Sequence, residues 1–249
     1  MNRLQALIFD VDGTLADTER DGHRVAFNRT FAEAGLDWDW SVELYGELLS
    51  VAGGKERIRF YLQQYRPDIQ MPSDEFIADL HATKTKHYLE LLASGEIPLR
   101  PGVERLIKEA HSQGVRLAIA TTSALPNVIA LLERSLDPSW FEVIAAGDIV
   151  PAKKPAPDIY FYVLNKMNLQ AQNCLVVEDS YHGLQASTQV GLPTIITINE
   201  YTKNHDFKSA LLVVNHLGEP ELPCDVLAGN DVDINYLDMK ALYRLHSYV

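Results

Sequence analysis

Cysteine is scarce in this sequence: Cys174 and Cys224 are the two in 249 residues. Their number and wide separation exclude a disulfide scaffold, and neither has enough other ligands nearby to suggest a zinc site. Long apolar runs are also missing. No stretch approaches the roughly 20 residues a membrane-spanning helix needs, and the chain turns acidic at Asp10, too early for a secretory signal. Nor is there a long basic block. Lys plus Arg number 22 against 34 Asp plus Glu, a formal charge of -12, which argues against a nonspecific nucleic-acid binder but leaves room for a local cationic pocket holding a small anion. Repeats and low-complexity tracts are absent. A cytoplasmic, membrane-free protein is the expectation, with the plastid stroma as the alternative if a targeting segment has been removed.

What the chain does have is a sharp change of grammar. Residues 4–9 read as a buried strand that ends in Asp10-Val11-Asp12-Gly13-Thr14. Helical spacings follow over 23–34, 36–49, 55–65 and about 74–92, with Gly35 as a cap, a break at 50–54 and no convincing strand. From Pro98 onward strands and helices alternate. Strands are expected at 115–120, 141–145, 175–177 and 193–198, and helices at 103–113, 124–136, 157–167 and about 182–190. Residues 211–214 read as an edge strand and 236–248 as a peripheral element. The predicted fold is α/β: a Rossmann-like three-layer core with a mostly parallel sheet, formed by residues 1–16 and 97–249. An all-helical insertion, residues 17–96, interrupts it, with hinges near Ala16 and Pro98.

Ligands in such sheets bind beyond the carboxyl ends of the strands, and four strand ends here are polar. Two acids, Asp10 and Asp12, close the first. Burying charge is costly without a compensating cation or donors, so this pair points to a metal, a nucleophile or both, the alternative being a strand followed by an ordinary Asx-type turn. Thr121, Thr122 and Ser123 close the second; Thr121 suits an oxyanion, whereas Ser123 suits either the ligand or the cap of the next helix. The third leads to Lys153-Lys154 between prolines, from which one lysine is expected to point inward, the alternative being a solvated pair. Glu178-Asp179 close the fourth. If Asp179 converges with Asp10, hard oxygen ligands for magnesium result.

Taken together, Asp10-Val11-Asp12-Gly13-Thr14, Thr121, Lys154 and Glu178-Asp179 resemble the four dispersed motifs of the haloacid-dehalogenase-like phosphohydrolases, with a helical cap after the first. Asp17-Thr18-Glu19-Arg20-Asp21-Gly22-His23-Arg24, Gly53-Gly54-Lys55-Glu56-Arg57 and Lys153-Lys154-Pro155-Ala156-Pro157-Asp158-Ile159-Tyr160 are similar to the CbbY-like branch. That branch is related to beta-phosphoglucomutase and associated with the Calvin cycle. The resemblance implies a phosphatase converting xylulose-1,5-bisphosphate, a misfire product that inhibits Rubisco, to xylulose-5-phosphate. It thus implies a functional link to Rubisco without direct binding, and we expect a monomer acting on a small sugar bisphosphate. By resemblance, Asp10 is the nucleophile that becomes an aspartyl-phosphate, and Asp12 is the general acid/base. Thr121 and Lys154 bind phosphate. Magnesium lies on Asp10, the Asp12 carbonyl and Asp179, with Glu178 bound through water or orienting the shell.

The insertion is expected to choose the substrate. Lys55 matches a residue that binds the distal phosphate in the mutase relatives, where arginine stands; the charge is kept and the bidentate fork lost. Arg57 is read either as a second distal contact or as a helix-surface residue, and Glu19 and His23 as contacts to sugar hydroxyls. Counted from Asp17, Gly22 occupies the place of the mutase histidine, so His23 fits only with one residue inserted. A phosphatase is therefore placed ahead of a phosphosugar mutase, and both ahead of a noncatalytic phosphometabolite-binding protein.

Overall fold

A computed structural model describes residues 4–51, 53–229 and 233–248. Of the predicted break at 50–54, Ala52 lies outside the described residues. The chain divides into two compact units, one made of Met1–Asp17 with Pro98–Val249 and the other of Thr18–Ile97.

The first unit is built on β1 (Ala6–Phe9), whose four residues are all buried. A strand covered on both faces is a continuous apolar run rather than an alternating one, which is what Ala-Leu-Ile-Phe supplies. After the second unit come α5 (Val103–Ser112), β2 (Arg116–Ala120), α6 (Leu125–Leu132), β3 (Phe141–Ala145), α7 (Asp158–Met167), β4 (Cys174–Glu178), α8 (Tyr181–Gln189) and β5 (Thr194–Thr197). The chain finishes with β6 (Leu212–Val214), β7 (Val226–Gly229) and α9 (Met239–His246). The sheet order is β3-β2-β1-β4-β5-β6-β7, parallel except for the antiparallel β7. This is the predicted α/β Rossmann-like architecture, and the chain's direction of travel across the sheet reverses between β1 and β4. Such a reversal opens a crevice at the carboxyl ends of those two strands. Register then levels the polar ends: Phe9 pairs with both Ile119 and Val177, so Asp10, Ala120 and Glu178 follow at one height.

Side chains alternate across the sheet. Ala6, Ile8, Ala118, Ala120 and Val176 pack with Tyr160, Val163 and Met167 of α7 and Ala186 of α8, while α5 packs on β2 and α9 on α5. Two expectations for the end of the chain need correction. Residues 211–214 are not an edge, because β7 pairs outside β6; the apolar run in β7, Val226 to Ala228, is too short to be read as a strand by pattern alone. The segment at 236–248 is less peripheral than expected, since Met239, Leu242 and Leu245 of α9 are buried.

The second unit opens on a π-helical turn, Thr18–His23, that runs into α1 (Arg24–Glu33), followed by α2 (Val42–Leu48), α3 (Gly54–Tyr65) and α4 (Asp74–Ser94). Ser41 and Ser73 cap α2 and α4, each accepting a backbone N–H at 3.2 Å. The helix expected over 36–49 begins only at Val42. Gly35 takes a left-handed conformation (φ 68), and Trp38 and Trp40 are buried from irregular backbone. Trp40 lies with its ring centroid 4.6 Å from Phe27, 4.9 Å from Phe31 and 5.4 Å from Tyr61. Packing two indoles into this cluster outweighs the local helical pattern.

Candidate active site

Beyond β1 the chain makes a tight loop in which Thr14 N and Leu15 N both donate to Val11 O, at 3.2 and 2.8 Å. The loop depends on Gly13, which has φ 84. A Cβ there would lie 2.2 Å from Asp179 Oδ2 and 2.5 Å from Asn199 Nδ2, so no side chain fits. The loop presents Asp10, nearly buried, and Asp12, half-buried. Asp10 Oδ1 accepts from Lys154 Nζ at 2.7 Å and Oδ2 from Thr14 Oγ1 at 3.2 Å. Burial pushes the Asp10 carboxyl up to about 7; the Lys154 charge opposes the shift, and Glu178 and Asp12 add to it.

Lys154 arrives on the loop between β3 and α7. Of the lysine pair, Lys154 points inward and Lys153 stays in solvent, paired with Asp148 at 2.9 Å. Lys154 Nζ also donates to Ala120 O at 2.8 Å and to Glu178 Oε1 at 2.5 Å. Burial disfavours its charge, but Asp10, Glu178 and Tyr160 hold the ammonium well above the usual lysine range. Glu178, fully buried, has the same Oε1 bonded by Tyr160 OH at 2.8 Å, while Oε2 accepts from Asp179 N at 3.1 Å and Ser180 Oγ at 3.3 Å. Gly183 makes this possible, because a Cβ there would come within 2.0 Å of the Glu178 carboxylate. Asp179 is held by Asn199 Nδ2, which donates to Oδ2 at 2.6 Å. Burial, then the charges of Asp10 and Glu178, raise the Asp179 carboxyl well above the usual range.

At the end of β2, Thr121 is buried and its Oγ1 accepts from Ser123 N at 3.2 Å, while Thr122 is exposed. The capping alternative for Ser123 is corrected here. Ala124 occupies the cap of α6 and provides no side-chain bond, and Ser123 Oγ instead donates to Asp12 Oδ2. The serine lies one residue too early to cap and close enough to reach across to the acid.

Asp10, Glu178 and Asp179 each offer a carboxylate oxygen, and these atoms lie within 4.8 Å of one another. Three buried acids face a single lysine among the charges that converge here, and the donors are all hard oxygens. This set fits a divalent cation of the magnesium type.

The helical unit holds a second polar cluster. Glu19 Oε2 accepts from Tyr45 OH at 2.6 Å and lies 4.0 Å from Arg57 Nη1. Arg57 is buried, which corrects its reading as a helix-surface residue. Its guanidinium donates to Tyr45 OH at 2.7 Å, to Leu48 O at 3.2 Å and to Val51 O at 3.3 Å. His23 stacks on Tyr88 with centroids 3.9 Å apart, and its Nδ1 accepts from Lys84 Nζ at 2.7 Å. Burial, then the charges of Lys84, Arg57 and His81, hold the imidazole well below its usual range, so it is neutral. Lys55 is exposed; its charge helps lower the neighbouring His81.

Several residues of these clusters escaped the sequence reading. Asn199 is the polar end of β5 and carries the same signal as the four strand ends that were read. Tyr160 lies within a quoted motif but looks like core. Lys84 sits between Leu80 and Tyr88 at spacings of four, a lone cation on an apolar helical stripe. Arg100, beside Pro98, donates to Gly13 O and to Thr197 O and Asn215 O at 3.1 and 2.8 Å, a role with no sequence signature.

A family model described as haloacid dehalogenase-like hydrolase matches residues 4–191. The plasmid CbbY protein of Cupriavidus necator is 48% identical over 225 residues, covering 88% of this chain and 88% of its own. A crystal structure of CbbY from Rhodobacter sphaeroides in complex with phosphate is 45% identical, with a TM-score of 0.73 over 86% of this chain and 94% of its own. A mutant of that protein in complex with xylulose-(1,5)bisphosphate matches with the same values.

Proposed function

Since the chain belongs to the haloacid dehalogenase-like hydrolases and is a phosphoric monoester hydrolase, we propose that its substrate is a sugar bisphosphate, xylulose-1,5-bisphosphate in particular. The products are xylulose-5-phosphate and phosphate, which supplies the metabolic link to Rubisco. The observation that carries the reading is the Lys154 ammonium bridging Asp10 Oδ1 and Glu178 Oε1, with Asp12 beside them tied to Ser123. The CbbY structure holding xylulose-(1,5)bisphosphate supports the choice of sugar.

Asp10, its other oxygen steadied by Thr14, attacks phosphorus, and the bond from phosphorus to the sugar oxygen breaks. Asp12 gives that oxygen its proton. The resulting aspartyl-phosphate divides one difficult transfer into two easier ones. In the second step Asp12 takes a proton from water, the water oxygen bonds to phosphorus, and Asp10 is released with phosphate. Ser123 holds the Asp12 carboxyl in place for both transfers. Lys154 and Thr121 bind the transferring phosphoryl group, whose charge the ammonium offsets. Asp10 and Asp179, with the Asp12 main-chain carbonyl and Glu178 in support, would hold magnesium, which supplies charge stabilisation at the phosphoryl oxygens.

The helical unit, Thr18–Ile97, acts as the cap. Exposed Lys55 meets the distal phosphate, and Glu19 and His23 meet the sugar. Arg57 serves differently from the expected distal contact: buried, with three of its five N–H donors on Tyr45 and two carbonyls, it fixes Tyr45 and through it Glu19. The test compares release of phosphate from xylulose-1,5-bisphosphate, ribulose-1,5-bisphosphate and fructose-1,6-bisphosphate with magnesium, with product analysis. The xylulose compound should lead and leave xylulose-5-phosphate. Equal rates on all three would remove the assigned substrate, and conversion of β-glucose-1-phosphate to glucose-6-phosphate without free phosphate would make the chain a mutase.

A further inference from the structure

We propose that Asn199 is a positioning residue of the cation site, acting through Asp179 and the Gly13 loop. The inference rests on the magnesium reading above and extends it to a residue outside the stretch matched by the family model, which ends at residue 191.

Both ends of the Asn199 amide are committed. Its Oδ1 accepts from Tyr201 N at 2.9 Å, while its Nδ2 donates to Asp179 Oδ2 at 2.6 Å and lies 3.4 Å from Gly13 O. Turning the amide over would set an oxygen against a carboxylate and a carbonyl, and a nitrogen against an N–H. One orientation therefore wins on every contact. The main chain is fixed as well, since Asn199 N donates to Thr202 Oγ1 at 3.1 Å, and Thr202 is buried. Arg100 holds the Gly13 carbonyl from another side.

The consequence is geometric. Asp179 has two carboxylate oxygens, and Asn199 occupies one, leaving the other for the cation. The same amide reaches the carbonyl of Gly13, next to Asp12, so it ties the loop after β1 to the loop after β4. Asp10, Asp12 and Asp179 lie on those two loops, and Glu178 ends the strand that leads into the second. The absent side chain of Gly13 completes the arrangement, because the space a Cβ would fill is taken by Asp179 Oδ2 and Asn199 Nδ2. Groups that orient a metal ligand commonly account for about 10–100-fold in metal affinity.

The test measures binding directly, without turnover. Mn2+ is titrated by electron paramagnetic resonance and Mg2+ by calorimetry into the wild-type protein, Asn199→Leu and Asn199→Ser. Leucine keeps much of the volume and removes the donor; serine keeps a small polar group that does not span the gap to Asp179. We expect either variant to bind both ions about 10–100-fold more weakly, with a metal-free melting temperature close to wild type and an unchanged KM for p-nitrophenyl phosphate at saturating metal. A folded variant that binds Mn2+ within twofold of wild type would overturn the proposal. A wild-type protein that binds neither ion would instead overturn the magnesium reading beneath it. If Asn199→Leu prevents folding, Asn199→Ser carries the same comparison.

Discussion

Both units bury charged side chains, but they neutralise them differently. In the α/β unit three acids and one lysine converge from segments separated by up to 169 positions, Asp10 to Asp179, and the balance stays negative. In the helical unit the buried groups are matched to one another: Arg57 to Tyr45 and through it to Glu19, and Lys84 to a neutral His23 and two aromatic faces, Phe27 and Tyr88 at 5.0 and 5.1 Å. The difference is instructive. A surplus of buried acids calls for a counter-charge and suits chemistry, whereas cations held by a phenol, an imidazole and aromatic faces suit recognition with fixed geometry.

This contrast is easiest to break at Asp10. Asp10→Asn keeps the size of the side chain and removes the nucleophile, so phosphate release should fall by roughly four orders of magnitude or more, with circular dichroism unchanged. Normal turnover would remove the assignment. Chelation should act almost as strongly: with EDTA, activity is lost and added Mg2+ restores it, because three buried acids converge there and the lysine bonded to two of them leaves the balance negative. Lys154→Met comes next. It removes the cation bonded to both Asp10 and Glu178, and kcat is expected to fall about 10²–10³-fold, read by steady-state kinetics at saturating substrate.

In the helical unit the effects should be smaller and selective. Lys55→Ala should lower kcat/KM for a bisphosphate about 10–100-fold, the worth of one charged hydrogen bond, and leave a matched monophosphate nearly unchanged. Equal losses on both would end the distal-phosphate role. The weakest effect concerns pH. The His23 imidazole is depressed in the folded chain by burial and by Lys84, so the unfolded state binds the proton more readily. The stability it confers is fully present above an unfolded value near 6.5 and is lost as pH falls below it toward the folded value. Urea unfolding followed by tryptophan fluorescence, which two of the three tryptophans report from this unit, should show a steeper loss between about pH 7.5 and 5.5 for wild type than for His23→Asn.

How far such features were readable depended on their origin. Strand ends announce themselves, because an apolar run that stops in acids or hydroxyls has few structural excuses, and Asp10, Thr121 and Glu178-Asp179 stood out that way, whereas the choice of Lys154 over Lys153 came from the family resemblance. Asn199 carried the same mark but stood in the weakly patterned part of the chain. Ser123 was readable as polar, yet nothing local told a helix cap from a bond to Asp12. Arg57 and Lys84 were misread or passed over for one reason: a cation on a helix is ordinarily solvated, and only the neighbouring helices show that it is enclosed.

By itself, then, the order of residues determined the alternation of strands and helices, the helical insertion and the chemistry that ends each strand, since these follow from short-range periodicity and from the cost of burying charge. The tertiary structure alone decided which oxygen of Asp10 meets Lys154, which way Asn199 faces, why Gly13 and Gly183 have no room for a side chain, and that Arg57 is enclosed. Those facts depend on distances between segments far apart in the chain, and in the α/β unit parallel pairing of β1 with β2 and β4 is what sets them.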